Sequence, residues 1–236
     1  MLVAAAVCPC LPSLTLAPDV GAPAAPERLR AACAEAVAAV LAEDPEIVAV
    51  VGPSTRSFLH EEGPLRTFLE PGLPVGMRFG HGPAAEAPTS RLPLALGLGA
   101  WLLRQAGWTG PVRAYELDDD RSWPTNGEDG SHVAGWADRV GLLVMGNGPT
   151  RSGADGVRRV DPRVEEIDAG IAAALAGGDV DGFFPVMDVN LARELEVSGR
   201  SAWQLLDGAD WELTTHRLLY AETVDSVSCF VAAWSP

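Results

Sequence analysis

The residues best suited to chemistry stand at the end of the first apolar run. Leu2 to Val7 is short, continuous and apolar, as a buried strand is. Cys8-Pro9-Cys10-Leu11-Pro12 then stops it. Proline lacks an N–H and fixes φ, so this pair of prolines ends a hydrogen-bonded ladder and forces a loop. In α/β proteins, ligands bind on loops at the carboxyl ends of strands. Cys8 and Cys10 are therefore expected at the edge of a site. A thiol there becomes nucleophilic when a cation lowers its pKa. Arg56 and Arg151, on loops that follow two other apolar runs, are the candidate cations. No histidine is placed by spacing to act as base, so packing is the plainer role for both cysteines.

Other groups offer further chemistry. Gly146 to Gly153 is the longest Gly-rich loop, and its backbone N–H groups could cradle an anion. It lacks the Gly-Lys-Ser/Thr ending of a phosphate-binding loop. The four histidines, His60, His81, His132 and His216, have no metal-ligand spacing, which favours surface or hydrogen-bonded roles. With Cys10 as a thiolate, His60 and His81 are the two that loop slack could bring into a rebuilt Zn(II) site. Asp118-Asp119-Asp120 could hold Mg(II) or Ca(II), but a solvated acidic loop is the simpler reading.

The elements that must position these groups alternate between strand and helix. Apolar residues recur on one face from Pro26 to Ala42, a helix ended by Asp44-Pro45. Ile47 to Val51 and Val140 to Met145 are continuous apolar runs, as in buried strands. Val112 to Leu117 and Val75 to Phe79 are further strand candidates. Leu92 to Gln105 and Pro162 to Ala176 read as helices, as do Leu191 to Val197 and Ala202 to Leu206. His60 to Pro74 and Asp118 to Gly130 read as loops, Gly80 to Ser90 as a flexible loop, and His132 to Asp138 as a short helix. Arg217 to Ala221 and Ser228 to Ala233 look like closing strands. This order predicts one α/β domain over residues 1–236, with a mainly parallel sheet flanked by helices.

Composition narrows the partners. The chain has 236 residues, 47% of them hydrophobic, which suits a folded globular protein. Net charge is −15 and there is no lysine, which disfavours nucleic acid and anionic membranes. No apolar stretch approaches the roughly 18 residues of a membrane span. The N-terminal run lacks a basic flank and is shorter than the roughly 7–15 apolar residues of a secretory signal. The expectation is a cytoplasmic protein. Of the four cysteines, Cys33 and Cys229 fall in apolar-periodic segments and read as core.

These motifs, in this order, resemble the class III extradiol ring-cleavage dioxygenase superfamily, the LigB-like and Memo-like proteins. Many members open with a strand running into Pro-His-Pro-Pro, whose histidine is a metal ligand; here Cys10 takes that place. Gly52-Pro53-Ser54 is similar to the family's second metal-histidine motif. Met145 to Arg151 is similar to its Ser-Gly-Asp-Leu-Ser-His-Arg segment, and Ser198-Gly199-Arg200 to the Cys-Gly-Arg of Memo-like members. Leu218-Leu219-Tyr220 and Cys229 to Ala232 are similar to the family's final hairpin. The resemblance implies a cleft lined by Cys8, Cys10, Ser54, Thr55, Arg56, Asn147, Thr150, Arg151 and Ser198.

The departures fall on the chemistry. An iron site of this class needs two histidines and a carboxylate. Positions 54 to 56 read Ser-Thr-Arg. Thr150 stands for the acid–base histidine, Asn147 for the motif's aspartate, and Ser198 for the cysteine. The expectation is a divergent member without the usual Fe(II) site and with no cofactor. It would bind a small anionic or aromatic molecule, or a partner, in the inherited cleft. The alternative is an active ring-opening dioxygenase with a rearranged Fe(II) or Zn(II) site. A homo-oligomer is left open.

Overall fold

Leu2–Cys8 forms β1 and is buried along its whole length. It lies beside Val140–Met145 (β7) in parallel, Cys8 opposite Met145. Ile47–Ser54 (β2) pairs with the other side of β7, Val51 opposite Val144, and Val112–Asp118 (β6) pairs with β2, Ser54 opposite Asp118. All three pairings are parallel, so the loops after β1, β2, β6 and β7 leave from one edge of the sheet. Apolar, often β-branched strands suit this arrangement because both faces are covered.

The structure is a computed structural model. It describes residues 1–15, 25–60, 92–151, 161–179, 182–209 and 213–236, and, by their backbone, residues 66–70 and 73–77. Antiparallel strands close both margins of the parallel core. Phe58–His60 (β3) pairs with β6, while Val227–Ser235 (β9) pairs with β1 and with Thr215–Val224 (β8). The resulting order is β3-β6-β2-β7-β1-β9-β8. Asp225 and Ser226, at φ 50° and 66°, make the tight turn between β8 and β9. Arg66–Glu70 (β4) and Leu73–Met77 (β5) form a separate two-stranded sheet.

Two helical layers cover the sheet. Glu27–Ala42 (α1) and Leu94–Gln105 (α2) pack on the face that carries Ala4, Ala6 and Cys8. Arg163–Gly177 (α4) and Arg200–Ala209 (α7) pack on the face that carries Ala5 and Val7. Trp123–Ala134 (α3) lies against α7. Phe183–Val186 (α5) and Val189–Glu194 (α6) are short; the Asp188 carboxylate caps α6 by accepting from the N–H groups of Asn190 and Leu191. Among the described residues, no helix is long and apolar enough to cross a membrane.

Several elements differ from the sequence reading. His60 to Pro74 contains the end of β3, all of β4 and the start of β5. A three-residue strand is too short to show periodicity, which is why β3 reads as loop. The predicted loop from Asp118 to Gly130 contains most of α3, and the helix predicted over His132 to Asp138 is only its last turn. Gly127 and Gly130 look like breakers, but they serve packing. A Cβ on Gly130 would lie 2.1 Å from the carbonyl oxygen of Leu205. The predicted loop at Gly80 to Ser90 lies outside the described residues.

That contact gives a test. Alanine has the better helix propensity, worth about 1 kcal/mol over glycine. A clash against rigid backbone outweighs it. Gly130→Ala should lower unfolding free energy by about 1–3 kcal/mol in urea denaturation. A stabilised variant would contradict the packing assigned to α3 and α7.

Candidate functional site at the carboxyl edge

Three loops meet where β1 and β7 end. The Gly146 N–H donates to the Cys8 carbonyl at 3.0 Å, and the Cys10 N–H to Asn147 Oδ1 at 2.7 Å. The Asn147 N–H donates to Ser198 Oγ at 3.2 Å, and the Gly199 N–H to the Asn147 carbonyl at 2.9 Å. Asn147 thus stitches the β1 and β7 loops to the approach to α7. A Cβ on Gly146 would sit 2.4 Å from the Gly199 Cα, so this contact needs glycine. Cys10, Asn147 and Ser198 come together at this point.

The surroundings of Cys8 and Cys10 disfavour the thiolate. Cys10 is buried; burial, then the charges of Asp119 and Cys229, push its pKa far above the usual range. The Cys8 pKa is raised by its hydrogen bond with Cys33, then by burial, then by the nearby Cys33 and Cys10. Both stay protonated at neutral pH. All four cysteines are free and buried, and they belong to one core cluster.

A guanidinium missing from the sequence candidates organises the edge. Arg200 is 3% exposed. Its Nη2 donates to the carbonyls of Asp119 and, at 2.7 Å, Arg121; its Nη1 donates to Gln204 Oε1 at 2.9 Å. Gln204 in turn donates to the Phe184 carbonyl at 2.8 Å and accepts from Asn126 at 2.9 Å. Ser201 Oγ donates to the Asp118 carbonyl at 3.2 Å. The 118–121 loop is therefore clamped to α7.

The clamp sets Asp119 in a half-buried place. Its N–H donates to the Ser54 carbonyl at 3.3 Å. Its Oδ1 is buried and has no hydrogen-bond partner among the described residues. Burial raises the carboxyl pKa, the Arg200 charge opposes, and Asp118 and Asp120 add to the rise; the result is about 7, against an ordinary 3.8. Asp119, Val189, Arg193, Val197, Ser198 and Arg200 help to enclose a cavity of about 260 Å³. The solvated acidic loop expected here holds for exposed Asp120 but not for Asp119.

Ser54, Arg56 and His60 serve a different centre, Glu116 on β6, whose side chain is 3% exposed. Ser54 Oγ donates to it at 2.8 Å, Arg56 Nε and Nη2 at 3.0 and 3.3 Å, and His60 Nε2 stands 2.6 Å away. Burial alone would raise the Glu116 pKa, but hydrogen bonds from Arg56, His60 and Ser54 outweigh it, and the net shift is downward. Thr55 is exposed beside this cluster.

Thr150 and Arg151 go to the opposite margin of the sheet. Thr150 bridges to Val227, and its N–H donates to the Leu195 carbonyl at 2.9 Å. Arg151 pairs with Glu165 at 2.8 Å and Asp168 at 2.6 Å, and Ser228 Oγ donates to Asp168 at 2.9 Å. A separate cavity of about 320 Å³ lies beside them. Glu116 on β6 and Ser228 on β9 are four strand positions apart, roughly 19 Å at the usual spacing. The two arginines expected to flank one cleft therefore do not converge on one ligand.

The donors at this edge are already committed. The Ser54 hydroxyl donates to Glu116, the Asn147 oxygen accepts from Cys10, and the Cys10 thiol keeps its proton. That set does not fit two imidazoles and a carboxylate. Among the described residues, no three His, Cys, Asp or Glu groups are placed to hold a metal ion. His60 Nε2 is taken by Glu116, and His81 lies outside the described residues.

The Glu116 cluster predicts a pH dependence. A carboxylate whose folded pKa is depressed stabilises above its unfolded pKa, about 4.3, and that stability is lost as pH falls through the folded value. Glu116→Gln should cost about 2–4 kcal/mol at pH 7. The loss should shrink as pH falls below about 4, measured by denaturation at a series of pH values.

No protein-family model matches the chain, and no curated protein matches it. A solved structure does: the uncharacterized protein JW3007 from Escherichia coli K12. It aligns over 98% of this chain and 99% of its own, with a TM-score of 0.58 and 12% sequence identity. The likeness establishes that this α/β fold is shared with an experimentally determined structure.

Proposed function

We propose that the chain is a divergent relative of the class III extradiol dioxygenases that binds a small molecule at its carboxyl edge and builds no iron centre of the usual kind. The loops that resemble the family's metal motifs follow parallel strands and leave from one edge. Their side chains are committed to one another and to Glu116. The observation that carries the reading is the cavity of about 260 Å³ that Ser198, Arg200 and Asp119, with its raised carboxyl pKa, help to enclose. A pocket with a few fixed polar groups and a perturbed carboxyl is the usual form of a binding site. The reading includes a cytoplasmic location, supported by the free thiols in one core. It includes no nucleic-acid partner, supported by the net charge of −15.

Metal content and ring cleavage test this directly. Purified protein given Fe(II) anaerobically, then desalted, should retain far less than stoichiometric iron. Adding catechols and oxygen should give no yellow ring-fission product. Stoichiometric iron, with ring cleavage that disappears in Cys10→Ala, would overturn the proposal in favour of an active dioxygenase with a rearranged site.

A further inference from the structure

We infer that two copies of this chain join through β8, edge to edge and antiparallel about a two-fold axis, so that their seven-stranded sheets become one. β8 ends the strand order, and no described strand lies on its outer side. In an antiparallel pair a strand spends only alternate main-chain groups on each neighbour, so the remaining groups of β8 face away from β9. β8 is ten residues long and contains no proline. A long edge of that kind is a template for another strand unless charge or shape forbids it.

A bulge at the centre of β8 decides what it can pair with. Leu218 lies opposite Ala232 and Tyr220 opposite Val231, so Leu219 is the extra residue. On either side of the bulge the side chains alternate regularly. Arg217 and Glu222 reach α1, where they pair with Glu35 and, at 2.7 Å, with Arg28. Leu219, Tyr220 and Val224 pack on that same face. Leu218 packs on the α4 face, and Ala221 and Thr223 border a cavity there with Asp168 of α4. Read outward from Leu219 and Tyr220, the two halves of β8 therefore present the same succession of faces.

A two-fold axis perpendicular to the sheet carries each face onto itself, so residues opposed across it must share a face. Pairing all ten residues sets Leu219 against Tyr220 of the second copy, Leu218 against Ala221 and Arg217 against Glu222, and each of these pairs shares a face. Charge agrees with this register. Arg217 meets Glu222 twice, once on each side of the axis, and the two surface ion pairs join into a row of alternating sign, Glu35, Arg217, Glu222, Arg28. Those four charges sum to zero on a chain whose net charge is −15, so the edges meet without local repulsion. Half-buried Leu219 supplies apolar contact at the axis.

Sedimentation equilibrium of the full chain over about 1–200 µM, at about 0.15 M salt to screen the overall charge, should show the mass rising from 24.7 kDa toward twice that value. Arg217→Glu and Glu222→Arg should each weaken association about tenfold, because an attractive pair turns repulsive on both sides of the axis. Combining the two substitutions exchanges the charges and should restore association. The exchange leaves the contacts with Glu35 and Arg28 unfavourable within each copy, so recovery reports pairing between copies and not repair of one chain. Amide hydrogen exchange on the wild type is a second measure: β8 should exchange more slowly at the high concentration than at the low one. A chain that stays monomeric over this range, a dimer indifferent to Arg217→Glu, a combined variant as weak as the single ones, or protection gained elsewhere and not in β8 would each overturn the assignment.

Discussion

One buried guanidinium holds the functional edge together. A charge taken out of water must recover its solvation from dipoles or counter-charges. Arg200 does so mainly with backbone carbonyls, those of Asp119 and Arg121, and with the Gln204 amide. Burial lowers its pKa, and the nearby Asp119, Asp120 and Asp188 act to raise it. Because those carbonyls belong to the loop after β6, satisfying the guanidinium also fixes that loop. Asp119 is half-buried as a consequence, and its carboxyl ionises only with difficulty. The cleft chemistry thus follows from the way α7 is anchored.

The sheet decides which groups can cooperate. Parallel pairing sends the loops after β1, β2, β6 and β7 to one edge, yet neighbouring strands are about 4.8 Å apart, so the edge is long. Three centres form along it. Glu116 gathers Ser54, Arg56 and His60 at the β2/β6 margin. Asn147 joins Cys10 and Ser198 in the middle, beside Asp119 and Arg200. Arg151 and Asp168 stand at the β8/β9 margin. The outer two are ion-paired networks in which each arginine already has its carboxylate. The middle one borders a cavity that Asp119, Ser198 and Arg200 help to enclose.

The sequence was most legible where burial is uniform. Ile47 to Val51 and Val140 to Met145 stand out because strands covered on both faces are continuously apolar, and the prolines after Cys8 mark where β1 ends. The helix α3 was hidden because glycine carries two meanings: Gly130 is there for contact with Leu205, which a local reading cannot see. Glu116 was hidden inside an otherwise ordinary strand, since a buried carboxylate is tolerable only with partners that come from β2 and β3. Asp119 sits in a run of three acids that looks solvated until Arg200 is folded onto it. Arg56 and Arg151 both follow strand ends, but sequence order says nothing about the strands between them.

The chemistry of this edge turns on the ionisation of one carboxyl group. A carbon-13 NMR titration of the Asp119 side chain in the free protein, assigned with Asp119→Asn, measures it directly. The structure predicts a midpoint at about 7. A midpoint near the ordinary value of 3.8 would mean that Asp119 is solvated or already paired, and the cleft described here would lose its central group.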